Sequence, residues 1–371
     1  MSLEVRLVEP DQLSNLYRLR YEIFFRELGA LLSEDEIRRG YIADPLDEIG
    51  YNYGLYDSRS ILGSIRVVDL ARIPESESIL KRFSPERIVT EFGRESICLV
   101  GRLALSPACR SGTALARLCL KAYEDGRKRS LKVAISDCSP YLLPLYTRLG
   151  YRCYGDVIND PLYGPKLPIL LLLEDAAYFS AIRSPFAKIA AKLPVTTSAT
   201  DWFNKTFPAE RVKAGDPIHS DSSLLDVTAD LLATEHLQRH SLFNGFSQVE
   251  IAELLHEAVL LYAKPGDYLI RKGLREKHLF FVLDGLITTL DDSGRPSIQH
   301  CQGDVVGGDG LLVDRARTAD VVVSSPAKCL LINGRTLETL ESMRPILFTK
   351  VLRNVGRFLG LQLGHTSVEA A

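Results

Sequence analysis

The chain has 371 residues, 46% of them hydrophobic and 25% charged, with a formal net charge of −2. That length exceeds one ordinary core and points to two domains, and the near-neutral charge argues against a nucleic-acid-binding protein. The opening residues MSLEVRLVEPDQL lack the basic and apolar blocks of a signal peptide, and the longest apolar runs, such as Ile169 to Leu173, are too short to span a bilayer.

The predicted elements begin with a helix over residues 11–31, where Leu13, Leu16, Leu19, Ile23 and Leu28 form a stripe beside Arg18, Arg20 and Arg26. A polar loop with Asp44-Pro45-Leu46-Asp47 follows, then two strands, Tyr51 to Tyr56 and Ile61 to Leu70, and a charged helix and loop over 75–95. Ile97 to Leu105 reads as a strand buried on both faces, stopped by Ser106 and Pro107. The turn Arg110-Ser111-Gly112-Thr113 then opens into a helix, Ala114 to Leu120, with Leu115, Leu118 and Cys119 on one face. A small-residue turn at a helix start presents free N–H groups at the positive end of the helix dipole and suits a phosphate; an ordinary β-α connection has the same look. Leu131 to Ser136 is the next strand, Tyr141 to Leu149 a short helix, Gly150-Tyr151-Arg152 a turn and Leu167 to Leu173 a closing strand.

This order predicts an α+β domain over residues 1–175. Residues 176–235 form a linker with amphipathic pieces: Phe179, Ile182, Phe186 and Ile189 keep helical spacing, and Trp202, Phe203 and Phe207 offer an aromatic anchor. From 236 to 371 a short helix precedes many short strands with glycine turns near Gly266, Gly273, Gly285, Gly303 and Gly307, the pattern of a β-barrel or jelly roll. A last helix carries Leu347, Val351, Val355 and Leu359 on one stripe. The seven cysteines are scattered without a CxxC pair, which fits buried thiols in a reducing cytoplasm and neither a disulfide frame nor a metal site. All seven histidines lie at or beyond His219, so chemistry in the first half runs without histidine.

Residues LALSPACRSGTALARLC resemble the acyl-CoA-binding segment of the GNAT acyltransferase superfamily, and SPYLLPLYTRLGYR is similar to its later segment, where a helix carries a tyrosine ahead of Gly-Tyr. Upstream, RLRYEIFFREL, DPLD, GSIRVV and GRLAL resemble one branch, the acyl-homoserine-lactone synthases and the related bacterial long-chain N-acyl amino acid synthases. Leu99 stands where the lactone synthases carry a glutamate, so the resemblance leans to the N-acyl amino acid synthases. It implies an acyl group delivered by acyl carrier protein or CoA to an amine, with no tightly bound cofactor. The implied donor contacts are Leu103, Leu105, Arg110, Ser111, Gly112 and Thr113; the implied acceptor side is Arg20, Phe24, Asp44, Asp47, Arg66 and Arg102.

Thioester aminolysis needs a held donor, a stabilised oxyanion, a deprotonated amine and a protonated leaving thiol. Tyr146 is the candidate proton donor to the thiolate, against the alternative that it only packs. Asp137, Asp44, Asp47 and a water chain from a backbone carbonyl are open choices for the base. The three arginines suit bidentate carboxylate binding, or equally structural pairs with Asp44, Asp47 and Glu22.

Residues 240–363 resemble the cyclic-nucleotide-binding domain family through KPGDYLIRKG, FFVLDG and GDVVG, and VVGGDGLLVDRARTADV matches its phosphate cassette. The resemblance places Arg317 on the cyclic phosphate, with Gly307, Gly308, Thr318 and Ala319 around it, and implies cAMP or cGMP as an effector. Gly308 falls where the family has the glutamate that accepts from the ribose hydroxyl. The alternative is a fold kept for homodimerisation or protein contact. No helix-turn-helix follows the last helix, so a transcription factor of the catabolite-activator type is not expected. The leading expectation is an N-acyltransferase with a regulatory or dimerising second domain; the others are a protein lysine acetyltransferase and a non-catalytic scaffold.

Overall fold

The computed structural model describes residues 3–58, 60–110, 113–194, 199–207, 216–217, 242–255, 258–313 and 315–368. They form two compact units: the described residues of 1–138, 145–155 and 168–211 make the first, those of 139–144, 156–167 and 212–371 the second. Among the described residues no helix is long and apolar enough to cross a membrane.

The mixed α/β sheet expected in the first part is present. Its strands are β1 (Glu4–Leu7), β2 (Tyr51–Tyr56), β3 (Ile61–Asp69), β4 (Ile97–Leu105), β5 (Val133–Cys138), β6 (Arg152–Cys153), β7 (Ile158–Asp160) and β8 (Gly164–Leu172). They lie in the order β1-β2-β3-β4-β5-β8-β6, with β7 paired to β8. The first four pair antiparallel, and β4 with β5 is the parallel step.

The first helix is shorter than its stripe: α1 covers Leu13–Arg20, and Tyr21–Glu27 continues as a π-helical stretch. α2 (Glu34–Arg39) was not expected; Ser33 and Glu36 cap it reciprocally. Then come α3 (Ser78–Phe83), α4 (Glu86–Phe92), α5 (Ala114–Lys128, eight residues beyond the expected Leu120) and α6 (Leu143–Leu149). The linker stripe breaks into α7 (Ala176–Ala181) and α8 (Ala187–Ala190), yet Phe179 and Phe186 both remain buried, Phe186 stacked on Tyr123 at 4.7 Å. α9 (Ala199–Thr206) sets Trp202 edge-on to Phe92 at 4.7 Å.

The two faces of β2-β3-β4 differ in kind, because residues opposite each other in an antiparallel pair share a face. One face carries Tyr53, Leu55, Ile65 and Val67, all buried, and α5 packs on these strands. The other, toward which α1 packs, presents Asn52, Ser64, Arg66, Gly101 and Ala104. Small and polar residues at those positions leave room for a site.

The second unit holds two antiparallel sheets. One has the order β15-β12-β17-β10-β9, formed by β9 (Asp216–Pro217), β10 (Val259–Ala263), β12 (His278–Asp284), β15 (Val305–Val306) and β17 (Ala327–Asn333). The other, β11-β16-β13-β14, joins β11 (Tyr268–Ile270), β13 (Ile287–Leu290), β14 (Pro296–His300) and β16 (Val321–Val323). Helices α10 (Gln248–Leu255), α11 (Asp309–Leu312), α12 (Gly334–Met343) and α13 (Pro345–Val368) complete it. Leu254, Leu279, Phe281, Leu330, Val351 and Val355 share one core, so α10 and α13 close the sandwich. Asn354 Nδ2 fixes α13 by donating to Leu242 O at 2.8 Å and Asn244 O at 2.9 Å.

Candidate functional site

β4 organises the first unit. Its ladder with β5 spans only Ile97–Leu99 opposite Val133–Ile135, after which β4 runs on to Leu105 and β5 to Cys138 with no pairing between them. Burial follows: Ile97, Cys98 and Leu99 are buried, whereas Val100, Gly101, Arg102, Leu103 and Leu105 are half-buried. On the β3 side, Ser64 pairs with Ala104 but Arg66 with Gly101, so β4 carries one extra residue at Arg102-Leu103. Arg102 takes φ +55°, unusual for a residue with a side chain, and Ser64 Oγ holds the bulge by donating to Arg102 O at 2.9 Å. Beside it, a Cβ at Gly101 would meet nothing within 4 Å, so that face of the strand is open.

The structure joins five of the expected acceptor-side residues in one network. Arg20 Nη1 lies 2.7 Å from Asp47 Oδ2, Arg66 Nη1 3.3 Å from Asp47 Oδ1 and 2.9 Å from Asp44 Oδ1, and Arg102 Nη2 2.5 Å from Asp44 Oδ2. Asn52 links in by accepting from Arg20 at 3.1 Å and donating to Asp47 O at 2.9 Å. Side-chain exposure rises along the chain of charges, from 0% at Arg20 and Asp47 to 12% at Asp44 and 20% at Arg102. Burial alone would raise the Asp44 carboxyl, but Arg102 and Arg66 outweigh it and hold it well below the usual range. Phe24, half-buried on the π-helical stretch, belongs to an element that touches β4.

Tyr146 on α6 is buried and packs edge-on to Tyr151 at 5.4 Å. Burial, then Cys138 and Tyr151, push its phenol well above 10, so it keeps its proton through the neutral range. Cys138 and Asp137 act on it from the end of β5, beyond the point where β5 leaves β4. Asp137, with a 29% exposed side chain, lies 3.3 Å from Arg82.

The expected phosphate turn is only partly in view. Ser111 and Gly112 lie outside the described residues, and exposed Thr113 stands at the N-terminus of α5. Arg110 is committed elsewhere: Nη2 donates to Glu27 Oε2 at 2.7 Å and to Leu105 O at 3.0 Å, with Nη1 on Glu27 Oε1 as well. Asn52, Ser64, Gly101 and Glu27 were not singled out in the sequence; a glycine inside an apolar strand run was the one available signal.

In the second unit Gly307 lies against Arg317, while Gly308 faces Val355 and Val305, Thr318 is exposed and Ala319 half-buried. Arg317, 3% exposed, donates from Nη1 to Gly307 O at 2.7 Å and from Nη2 to His278 O. Its pKa is lowered by burial, against the pull of Asp309 and Glu276.

The fold so described is an α/β sheet unit followed by an antiparallel β-sandwich with helices. Residues 260–342 match the cyclic nucleotide-binding domain family. Among solved structures, a cyclic nucleotide-binding domain from Methylobacillus flagellatus is 20% identical, covering 39% of this chain and 82% of its own, with a TM-score of 0.36. FeeM, an N-acyl amino acid synthase from uncultured soil microbes, is 14% identical over 51% of this chain and 98% of its own, TM-score 0.39. The AHL synthase LasI is 15% identical over 46% and 90%, TM-score 0.36. Among curated protein sequences none matches.

Proposed function

We propose that the first unit is an N-acyltransferase that moves a long-chain fatty acyl group from an acyl carrier protein or CoA thioester to an amine, in this reading an amino acid. The observation that carries the proposal is the separation of β4 from β5 after Leu99, with open space at Gly101 and Tyr146 beside the end of β5. A strand edge without its neighbour offers N–H and C=O groups in register, and an extended pantetheine arm with two amides completes such an edge as a strand would. Leu103 supplies that edge, and Leu105, whose carbonyl accepts from Arg110, ends it.

The bulge at Arg102 supports the next step. A residue left out of the ladder frees a backbone N–H, and one aimed at the thioester carbonyl stabilises the oxyanion when the amine nitrogen attacks. As the tetrahedral intermediate collapses, the C–S bond breaks and the thiolate takes the proton of Tyr146; the proton released by the attacking amine restores the phenol. Asp44, held ionised far below the usual range, is a weak base, and buried Asp47 accepts from Arg20 and Arg66. Asp137, its side chain 29% exposed and paired with Arg82 at 3.3 Å, and a water chain from a backbone carbonyl remain for the base that passes the amine's proton toward the phenol. Arg20, Asp47 and Arg66 form the rigid floor of the acceptor side, while Arg102 and Asp44, at its more exposed end, meet the acceptor together with Phe24. Thr113, at the N-terminus of α5, stands at the phosphate end of the donor arm in this reading.

In the same reading residues 1–175 are the enzyme, 176–235 the linker and 236–371 a regulatory or homodimerising module. Mass spectrometry of lipids from cells overproducing the chain is the test. A new N-acyl amino acid, missing with the Tyr146→Phe variant, is expected; unchanged lipids alongside newly acetylated protein lysines would replace this reading with a lysine acetyltransferase.

A further inference from the structure

Both terminal nitrogens of the Arg317 guanidinium in the second unit already donate to backbone carbonyls. The guanidinium of Arg317 is bound by the carbonyls of Gly307, at 2.7 Å, and His278, and Asp309 Oδ1 stands 3.8 Å from Nη1. Its backbone is fixed too: the Arg317 N–H donates to Leu274 O at 2.8 Å, and the Gly273 N–H donates to Arg317 O at 2.9 Å. The residue is 3% exposed, and Nε, buried as well, has no hydrogen-bond partner among the described residues.

Two glycines make this arrangement possible. A Cβ at Gly310 would collide with Arg317 Nη1 and Cζ, so any other residue there forces the guanidinium out. A Cβ at Gly308 would stand 3.0 Å from Val355 Cγ1 of α13 and 3.7 Å from Val305 Cγ1. The helix therefore packs directly over the position where a ribose-binding carboxylate would have to project. Val355 is itself fully buried in the core, so this contact is part of the packing of the unit.

We propose that Arg317 is an internal latch tying the cassette to β12, and that this module takes no cyclic nucleotide. A cyclic phosphate would have to displace one buried and one part-buried hydrogen bond to backbone carbonyls and approach a nitrogen that already faces the Asp309 carboxylate. Losing the charged acceptor for the ribose hydroxyl removes about a further ten- to a hundredfold in affinity. The cassette is then a structural joint whose state is set by the packing of α13 and not by a nucleotide.

The test uses the full chain and does not depend on any enzyme activity. Titration calorimetry and thermal melting with cAMP and with cGMP at millimolar concentration should show neither heat nor a shift in Tm. Without nucleotide, Arg317→Ala and Gly310→Ala should each lower Tm. Arg317→Lys, which keeps the charge and loses the fork, should fold and exchange the amides of β12 about tenfold faster than the wild type. Binding of either nucleotide that Arg317→Lys weakens would overturn the proposal. So would an Arg317→Lys protein with Tm and β12 exchange equal to those of the wild type.

Discussion

Replacing Glu276 with glutamine removes a charge that the second unit disfavours. Glu276 precedes β12 and is buried; its Oε2 has no hydrogen-bond partner among the described residues and lies 3.8 Å from His278 Nε2. Burial pushes its carboxyl from 4.5 up to about 7, with Lys166 and Arg317 opposing. His278 is driven the other way, well below 6.5, by burial and then by Arg317, so it stays neutral and supplies no counter-charge. Because the folded carboxyl binds its proton more tightly than the unfolded one, its stabilising contribution is full below about pH 4.5 and is lost as pH rises through about 7. The whole separation corresponds to roughly 3 kcal/mol, most of it falling between pH 5 and pH 8. Glutamine keeps the neutral shape and does not titrate. Hydrogen exchange of β12, corrected for intrinsic rates and measured at both pH values, should show Glu276→Gln gaining about 2–3 kcal/mol over the wild type at the higher pH relative to the lower. If the two proteins respond to pH alike, the carboxyl is not held protonated by burial and the reasoning is wrong.

Three other outcomes follow from the first unit. Asp47→Asn leaves Arg20 buried and without its counter-ion, which should cost about 3–5 kcal/mol by chemical denaturation; a loss under about 1 kcal/mol would mean that the network is not a structural floor. Gly101→Leu should keep the wild-type Tm, since space is open there and the backbone is unstrained, and should cut turnover at least about tenfold by filling the slot; unchanged turnover would place the acyl site elsewhere. Tyr146→Phe should lower kcat by about a hundredfold with little change in KM, the mark of lost acid catalysis; a rise in KM alone would make the tyrosine a binding group.

The strands were the most legible part of the sequence. β4 begins at Ile97 and ends at Leu105, as the apolar run bounded by Ser106 and Pro107 indicated. β2 and β3 were equally plain, because a short polar turn separates two runs rich in aromatic and β-branched residues. β1 was missed: EVRL is a four-residue edge strand with no fully buried position, too short for a period to show. α2 was overlooked although Ser33 and Glu36 spell its capping box. The π-helical turn at Tyr21–Glu27 has no sequence period of its own, so it read as more α-helix.

At the candidate site, residue types were readable and their arrangement was not. Arg20, Asp44, Asp47, Arg66 and Arg102 could be singled out, but only the fold shows that the charges pair with one another and that exposure grades from Arg20 to Arg102. The bulge could not be read, because a positive φ at an arginine is imposed by pairing across β3 and β4 and has no local signal. Arg110 looked free for a phosphate because its partner, Glu27, is 83 residues away in the chain. In the cassette, Gly308 was visible as a departure, whereas the role of Gly310 emerged only from the position of the Arg317 guanidinium.

The most direct measurement is a thiol-release assay on the purified chain, supplied with long-chain acyl carrier protein or acyl-CoA and single amino acids, with the product identified by mass spectrometry. The account predicts release of free thiol matched by formation of an N-acyl amino acid, strongly reduced in Gly101→Leu and Tyr146→Phe proteins that melt like the wild type. No amide from either donor with any amino acid, or equal rates in both variants, would contradict it.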